Sequence, residues 1–180
     1  MRKIKTNRAM AGVMSLLGLL WLSGCNGTTP TTSSAVKERI GIYDSRAIAL
    51  AYTGTEWFKT SVERAHADEA KAKAEKDEKL MAEVTKQGVR FHQQGFSTAP
   101  VDDLLAHIKD KLPSVTQAAG VCELVSKWDK EALAKHQNAE QVDVTEALVN
   151  AMTTDPALRK TALEMMKSKP ISMEDAAKPD

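Results

Sequence analysis

The sequence predicts an α+β fold, mostly helical, in which a small β-sheet carries a projecting long α-helical hairpin. Three observations lead there. Ile40 and Ile42 alternate with other residues in Arg39-Ile40-Gly41-Ile42-Tyr43-Asp44, and Val121–Trp128 is a second apolar run bounded by Gly120 and Asp129; both read as strands. Between them lies a stretch dominated by alanine and charge, suited to a solvated helix with little to bury. Aromatic residues are only 4% of the chain, so the core must be thin and the helical surface large.

Taken in order, the chain opens with Arg2, Lys3, Lys5 and Arg8, no acids, and an apolar run that stops at Leu22-Ser23-Gly24-Cys25. This is the layout of a cleavable export signal. From Ala9 to Leu22 the uncharged run is about 14 residues, short of the roughly 20 that span a bilayer. Residues 22–25 resemble a bacterial lipobox, which implies residues 1–24 as signal peptide and Cys25 as the lipidated residue. Two or more acyl chains anchor firmly where one anchors marginally. Replacing Cys25 with Ser should therefore release the protein from membranes, as checked by fractionation. Asn26 is not the Asp that retains lipoproteins at the inner membrane in well-studied bacteria, so the periplasmic face of the outer membrane is expected.

Residues 25–38 read as the lipidated Cys and a flexible tether, rich in Thr, Ser and Gly. Removing residues 1–24 takes away four of 25 basic residues and none of 24 acidic ones, leaving a formal charge of −3. That balance gives no basic field for nucleic acid. With Cys25 lipidated, Cys122 has no partner for an intrachain disulfide. Its neighbours Val121, Leu124 and Val125 suggest a small buried hydrophobe.

Asp44 or Ser45 can cap a short helix over Ala47–Tyr52, closed by Gly54, with Asp44, Ser45 and Arg46 explained by capping and an ion pair. Thr55 caps a long helix from Glu56 to about Lys86, which at 1.5 Å per residue runs roughly 46 Å. Phe58, Val62, Ala65, Ala72, Leu80 and Val84 mark one face. Gly88 is the expected stop, and Val89–Pro100 the turn or tip. There Phe91 and Phe96 either staple the hairpin or form an exposed apolar tip. With Leu80 and Val84 they are the candidate residues for binding clients or a partner.

Val101–Val115 reads as the amphipathic return helix, kinked near Pro113 and ended by Gly120, giving a hairpin over 56–119. Lys130–Asn138 should form a short helical connection. Asp143 and Glu146 are spaced like a capping box for the next helix, and Asp155-Pro156 opens another. Residues 153–180 form a C-terminal helix and a frayed tail from Ile171.

Chemistry is sought with little return. His66, His92, His107 and His136 are scattered and fit no metal motif, and there is no phosphate cradle or nucleophile elbow. No enzyme, cofactor or metal is expected.

The order strand, charged helix, return helix ending in Ala118-Ala119-Gly120, strand, then Val142-Asp143-Val144-Thr145 resembles the Skp/OmpH-like periplasmic chaperones. The likeness covers residues 39–152, with Ile40–Asp44 matching the opening strand and Leu124-Val125 the later one. The resemblance implies an ATP-independent, chaperone-like lipoprotein that holds unfolded or envelope proteins, with a homotrimer as the implied oligomer. The alternative is an interaction lipoprotein whose hairpin docks on one folded partner.

Overall fold

The computed structural model describes residues 37–178. The expected signal peptide, Cys25 and most of the expected tether lie outside the described residues. The fold is mostly helical with a small sheet, the coarse class that the sequence predicts.

Strand β1 (Arg39–Tyr43) leads into helix α1 (Ser45–Tyr52). Two longer helices follow, α2 (Glu56–Glu75) and α3 (Glu78–Phe96). Short α4 (Asp102–Leu105) runs on as a 3₁₀ turn to Ile108, and α5 (Leu112–Ala119) precedes strand β2 (Glu123–Ser126). Then come α6 (Lys130–Lys135), β3 (Glu140–Asp143), α7 (Thr145–Met152), α8 (Pro156–Met165) and a 3₁₀ turn at Asp175–Ala177.

The sheet has three parallel strands in the order β2-β1-β3. Ile40 pairs with Glu123 and Tyr43 with Ser126 on one side, and Arg39 with Glu140 and Ile42 with Asp143 on the other. Parallel neighbours need crossover connections. The β1–β2 crossover holds everything from α1 to α5, while β2 reaches β3 through α6 alone.

Helix α1 is the hub. Ser45–Ala49, Ala51 and Tyr52 are all buried, and the helix packs against α3, α7 and α8. Its alanines admit close neighbours, and Ile48, Val101, Leu104, Ile108, Leu148, Val149 and Met152 complete the core around it. Asp44 caps it by accepting from the Arg46 N–H at 3.0 Å.

Several expectations are corrected. The long helix expected over 56–86 is two helices. Lys76 adopts a left-handed conformation (φ 57°) and ends α2, and Asp77 then caps α3 by accepting from the Leu80 N–H. The hairpin accordingly spans residues 56–96, with its bend at Lys76-Asp77, and not 56–119. Gly88 does not stop the helix; Val89–Phe96 continues it. Val101–Val115 is not one return helix, and Pro113 sits in the first turn of α5, where its missing N–H costs nothing. Gly120 does end α5, at φ 63°.

Three more differences concern the later chain. The residues 140–143 form β3, and helix α7 begins at Thr145, whose N–H the Asp143 carboxylate accepts at 2.8 Å. Cys122 is exposed, because it precedes β2 and its thiol points at the Arg39 carbonyl, 3.2 Å away, on the open side. The tail from Ile171 is not frayed. Its backbone bonds to Phe96 O and Ser97 Oγ, Gln93 donates to Met173 O, and Ala176 is buried.

A lysine in the left-handed region costs about 1–2 kcal/mol that glycine avoids. Lys76→Gly should therefore stabilise the fold by about 1 kcal/mol and raise Tm by a few degrees in a thermal melt.

Candidate functional site

Helices α2 and α3 run antiparallel. Phe58 packs on Phe91 with ring centroids 4.9 Å apart, and Gln87 Nε2 donates to Ser61 Oγ at 3.1 Å. The base of α3 is tied to the body by Gln94, whose buried amide donates to Pro100 O and Asp103 Oδ1. Arg90 adds an ion pair to Asp103 at 3.0 Å. Tyr52 meets Phe58 edge-on, and the His107 ring lies between Tyr52 and Trp57, with centroids 5.3 and 4.9 Å away. Aromatic contacts of this kind fix where the hairpin leaves the body.

Above that base the two helices diverge around a groove of about 620 Å³. Its apolar lining comes from Phe58, Val62 and Ala65 on α2, Val84 and Phe91 on α3, and Tyr52 and Leu104 from the body. His66, Glu69, Arg90 and His92 supply polar lining. Gly88 is the small residue on the α3 side, and a Cβ added there meets nothing within 4 Å. The groove exists because Ala65 and Gly88 do not fill it.

The sequence candidates divide on this geometry. Val84 and Phe91 face one groove. Leu80 is half-buried one turn nearer the bend and does not line it. Phe96 is exposed at the far end of α3, with the His92 ring on its edge and the Ile171 N–H bonded to its carbonyl. Neither phenylalanine is at the hairpin tip. Tyr52, Leu104 and His107 carried no sequence signal of a site, since their roles depend on α1 and α4 reaching the hairpin base.

A second constellation lies at the carboxyl ends of the strands. Asp44 and Arg46 are fully buried and paired at 2.8 Å, and Lys127, just after β2, reaches the same carboxylate at 2.6 Å. Trp128 donates to Asp44 Oδ1 at 3.4 Å, with both cations against its ring face. Thr145, just after β3, accepts from the Asp44 N–H at 3.0 Å. Burial works to raise the Asp44 carboxyl, and the hydrogen bonds and charges of Arg46 and Lys127 outweigh it, holding it below its usual range. An acid so fully bonded is poised to stay ionised and tie the three strands together, as the capping and ion-pair expectation has it, rather than to exchange protons. The buried Ser45 Oγ beside it has no hydrogen-bond partner among the described residues.

Of the four histidines, His66, His92 and His107 are exposed. His136 is half-buried between Glu38, at 3.0 Å, and Glu123, at 3.2 Å. Among the described residues no three metal-binding side chains converge on one point, and no helix is long and apolar enough to cross a membrane. No family model matches the chain, and no similar known protein or solved structure is found.

Proposed function

We propose that this chain is a membrane-anchored, ATP-independent chaperone-like lipoprotein of the cell envelope. It binds apolar segments of unfolded or envelope proteins in the groove between α2 and α3, and Cys25 provides the lipid anchor. The observation that carries the reading is the groove itself: an apolar floor of Phe58, Val62, Val84 and Phe91 beside an α2 arm that is charge and alanine from Ala67 to Glu75. The resemblance to the Skp/OmpH-like chaperones supports it, and homotrimers belong to that same reading. At 1.5 Å per residue an arm the length of α2 is roughly 30 Å. Such an arm, with its narrow groove, suits a few extended residues of a client rather than an enclosed domain. A lipid anchor raises the effective concentration of a weak binding surface at the membrane.

Gly88→Leu tests this directly. The new side chain enters open space in the groove and improves helix propensity by about 1 kcal/mol, so the protein should remain folded with an equal or higher Tm. Suppression of aggregation of unrelated unfolded proteins should nevertheless fall severalfold. If the variant protects clients as well as the parent, the groove is not the binding surface.

A specific feature favours the docking alternative. Phe96, Ile171 and Met173 are all exposed and brought together by the hydrogen bonds that pin the tail to α3. A rigid apolar patch of this kind suits one folded partner. Recovery of a single stoichiometric partner from membranes, lost in Phe96→Ser but not in Gly88→Leu, would select it.

A further inference from the structure

A separate concavity of about 460 Å³ runs beside the edge strand β2 and shares no lining residue with the hairpin groove. Three carboxylates line it, Asp102, Asp129 and Glu123, and no lysine or arginine does. Glu123 meets the His136 ring, and one oxygen of Asp129 accepts from the Ala132 N–H at 2.9 Å. The Asp102 carboxylate makes neither a hydrogen bond nor an ion pair among the described residues. Lys127, one residue from the lining Trp128, is paired with Asp44 and lies with Arg46 against the Trp128 ring.

Independently of the acids, Tyr43 lines the same space. It is only 4% exposed, yet its hydroxyl has no hydrogen-bond partner among the described residues. The ring is enclosed while the hydroxyl still meets solvent in this space, so it can exchange a water for a ligand group. Burial, with Asp102 and Asp129 adding to it, pushes its pKa up to about 12, so the group stays neutral and keeps both its proton and its acceptor lone pairs. The Trp128 indole supplies an aromatic wall.

We infer that this pocket binds an organic cation, a primary ammonium or a guanidinium, held by Asp102 and Asp129 with Tyr43 Oη as a neutral acceptor beside the Trp128 ring. Carboxylates set around an aromatic-walled space, without converging as metal ligands, match a cation with an alkyl stem. The cation comes either from a lysine or arginine side chain of a peptide or from a free amine. The inference does not rest on the hairpin reading.

Calorimetric titration of the full chain in detergent micelles tests it, with cadaverine, agmatine, and the capped tripeptides Ala-Lys-Ala and Ala-norleucine-Ala as probes. At least one cationic probe should bind and the norleucine peptide should not, with binding weakened by added salt. Loss of one charge-assisted hydrogen bond weakens binding about tenfold or more, so Asp102→Asn and Asp129→Asn should each do so. Asparagine can keep the α6 cap, and both variants should melt as the parent does. Tyr43→Phe should weaken binding severalfold. A lysine peptide bound more tightly than cadaverine identifies a chain as the source, and the reverse order a free amine. No binding of any cationic probe at 10 mM, on the order of a 3 kcal/mol interaction, overturns the assignment. So does unchanged affinity in Asp102→Asn.

Discussion

Arg46→Met should cost the fold about 3–5 kcal/mol, the range for breaking a buried pair from one side. The guanidinium is 1% exposed and Asp44 is fully buried, so solvent cannot replace what is lost. Lys127 remains on the carboxylate, which keeps the loss from being larger. The pH dependence gives the sharper readout. Asp44 has its pKa lowered by folding, so its contribution is present above the unfolded value, about 4. It fades as pH falls through the lower folded value. In the variant the Arg46 share of that depression is gone and the Lys127 share remains. The stability gap between parent and Arg46→Met, measured by urea midpoints, should therefore be widest near neutrality and shrink below about pH 4. A gap that stays constant down to pH 2.5 would mean that the pair is not what Arg46 contributes.

Ile48→Ala should cost about 2–5 kcal/mol, the usual range for emptying a fully packed aliphatic site. Ile48 is completely buried on the helix that α3, α7 and α8 all share, so no single neighbour can relax into the cavity. For a chain of this size the loss corresponds to a Tm lower by about 10 °C. The contrast with Gly88→Leu separates stability from binding: one change damages the hub and leaves the groove lining untouched, the other fills the groove and leaves the hub intact. If Ile48→Ala melts within a degree or two of the parent, α1 is not the centre of the core.

The elements that could be read from sequence are those whose signal is local. Ile40 and Ile42 mark β1, Leu124 and Val125 mark β2, and Asp44, Thr55, Asp155 and Gly120 are caps whose side chain or φ acts within a few residues. Strand β3 was hidden because Glu-Gln-Val-Asp is an edge strand with one half-buried apolar residue. Its partner on β1 lies a hundred residues away in sequence. The bend at Lys76 left no mark because lysine has no preference for the left-handed region. Asp77 followed by Glu78 was the available sign of a new helix. Gly88 misled for a physical reason: glycine within a helix and glycine after one look alike, and here it opens space between two helices. The binding residues divided for a geometric one. Phe91 and Phe96 are five positions apart, about 140° around a helix with 3.6 residues per turn, so only one of them can face the groove.

The position of β1 has a consequence in time. It is the central strand, yet its hydrogen-bonding partners begin at Glu123 and Glu140. At a synthesis rate of about 5–20 residues per second, β1 waits about 5–20 s before β3 has been made. The hairpin, whose contacts are local, can form long before that, while the sheet is delayed by distant parallel pairing. Until the last third of the chain exists, Ile40 and the α1 core face have nothing to close against. The molecule thus stays open for most of its own synthesis.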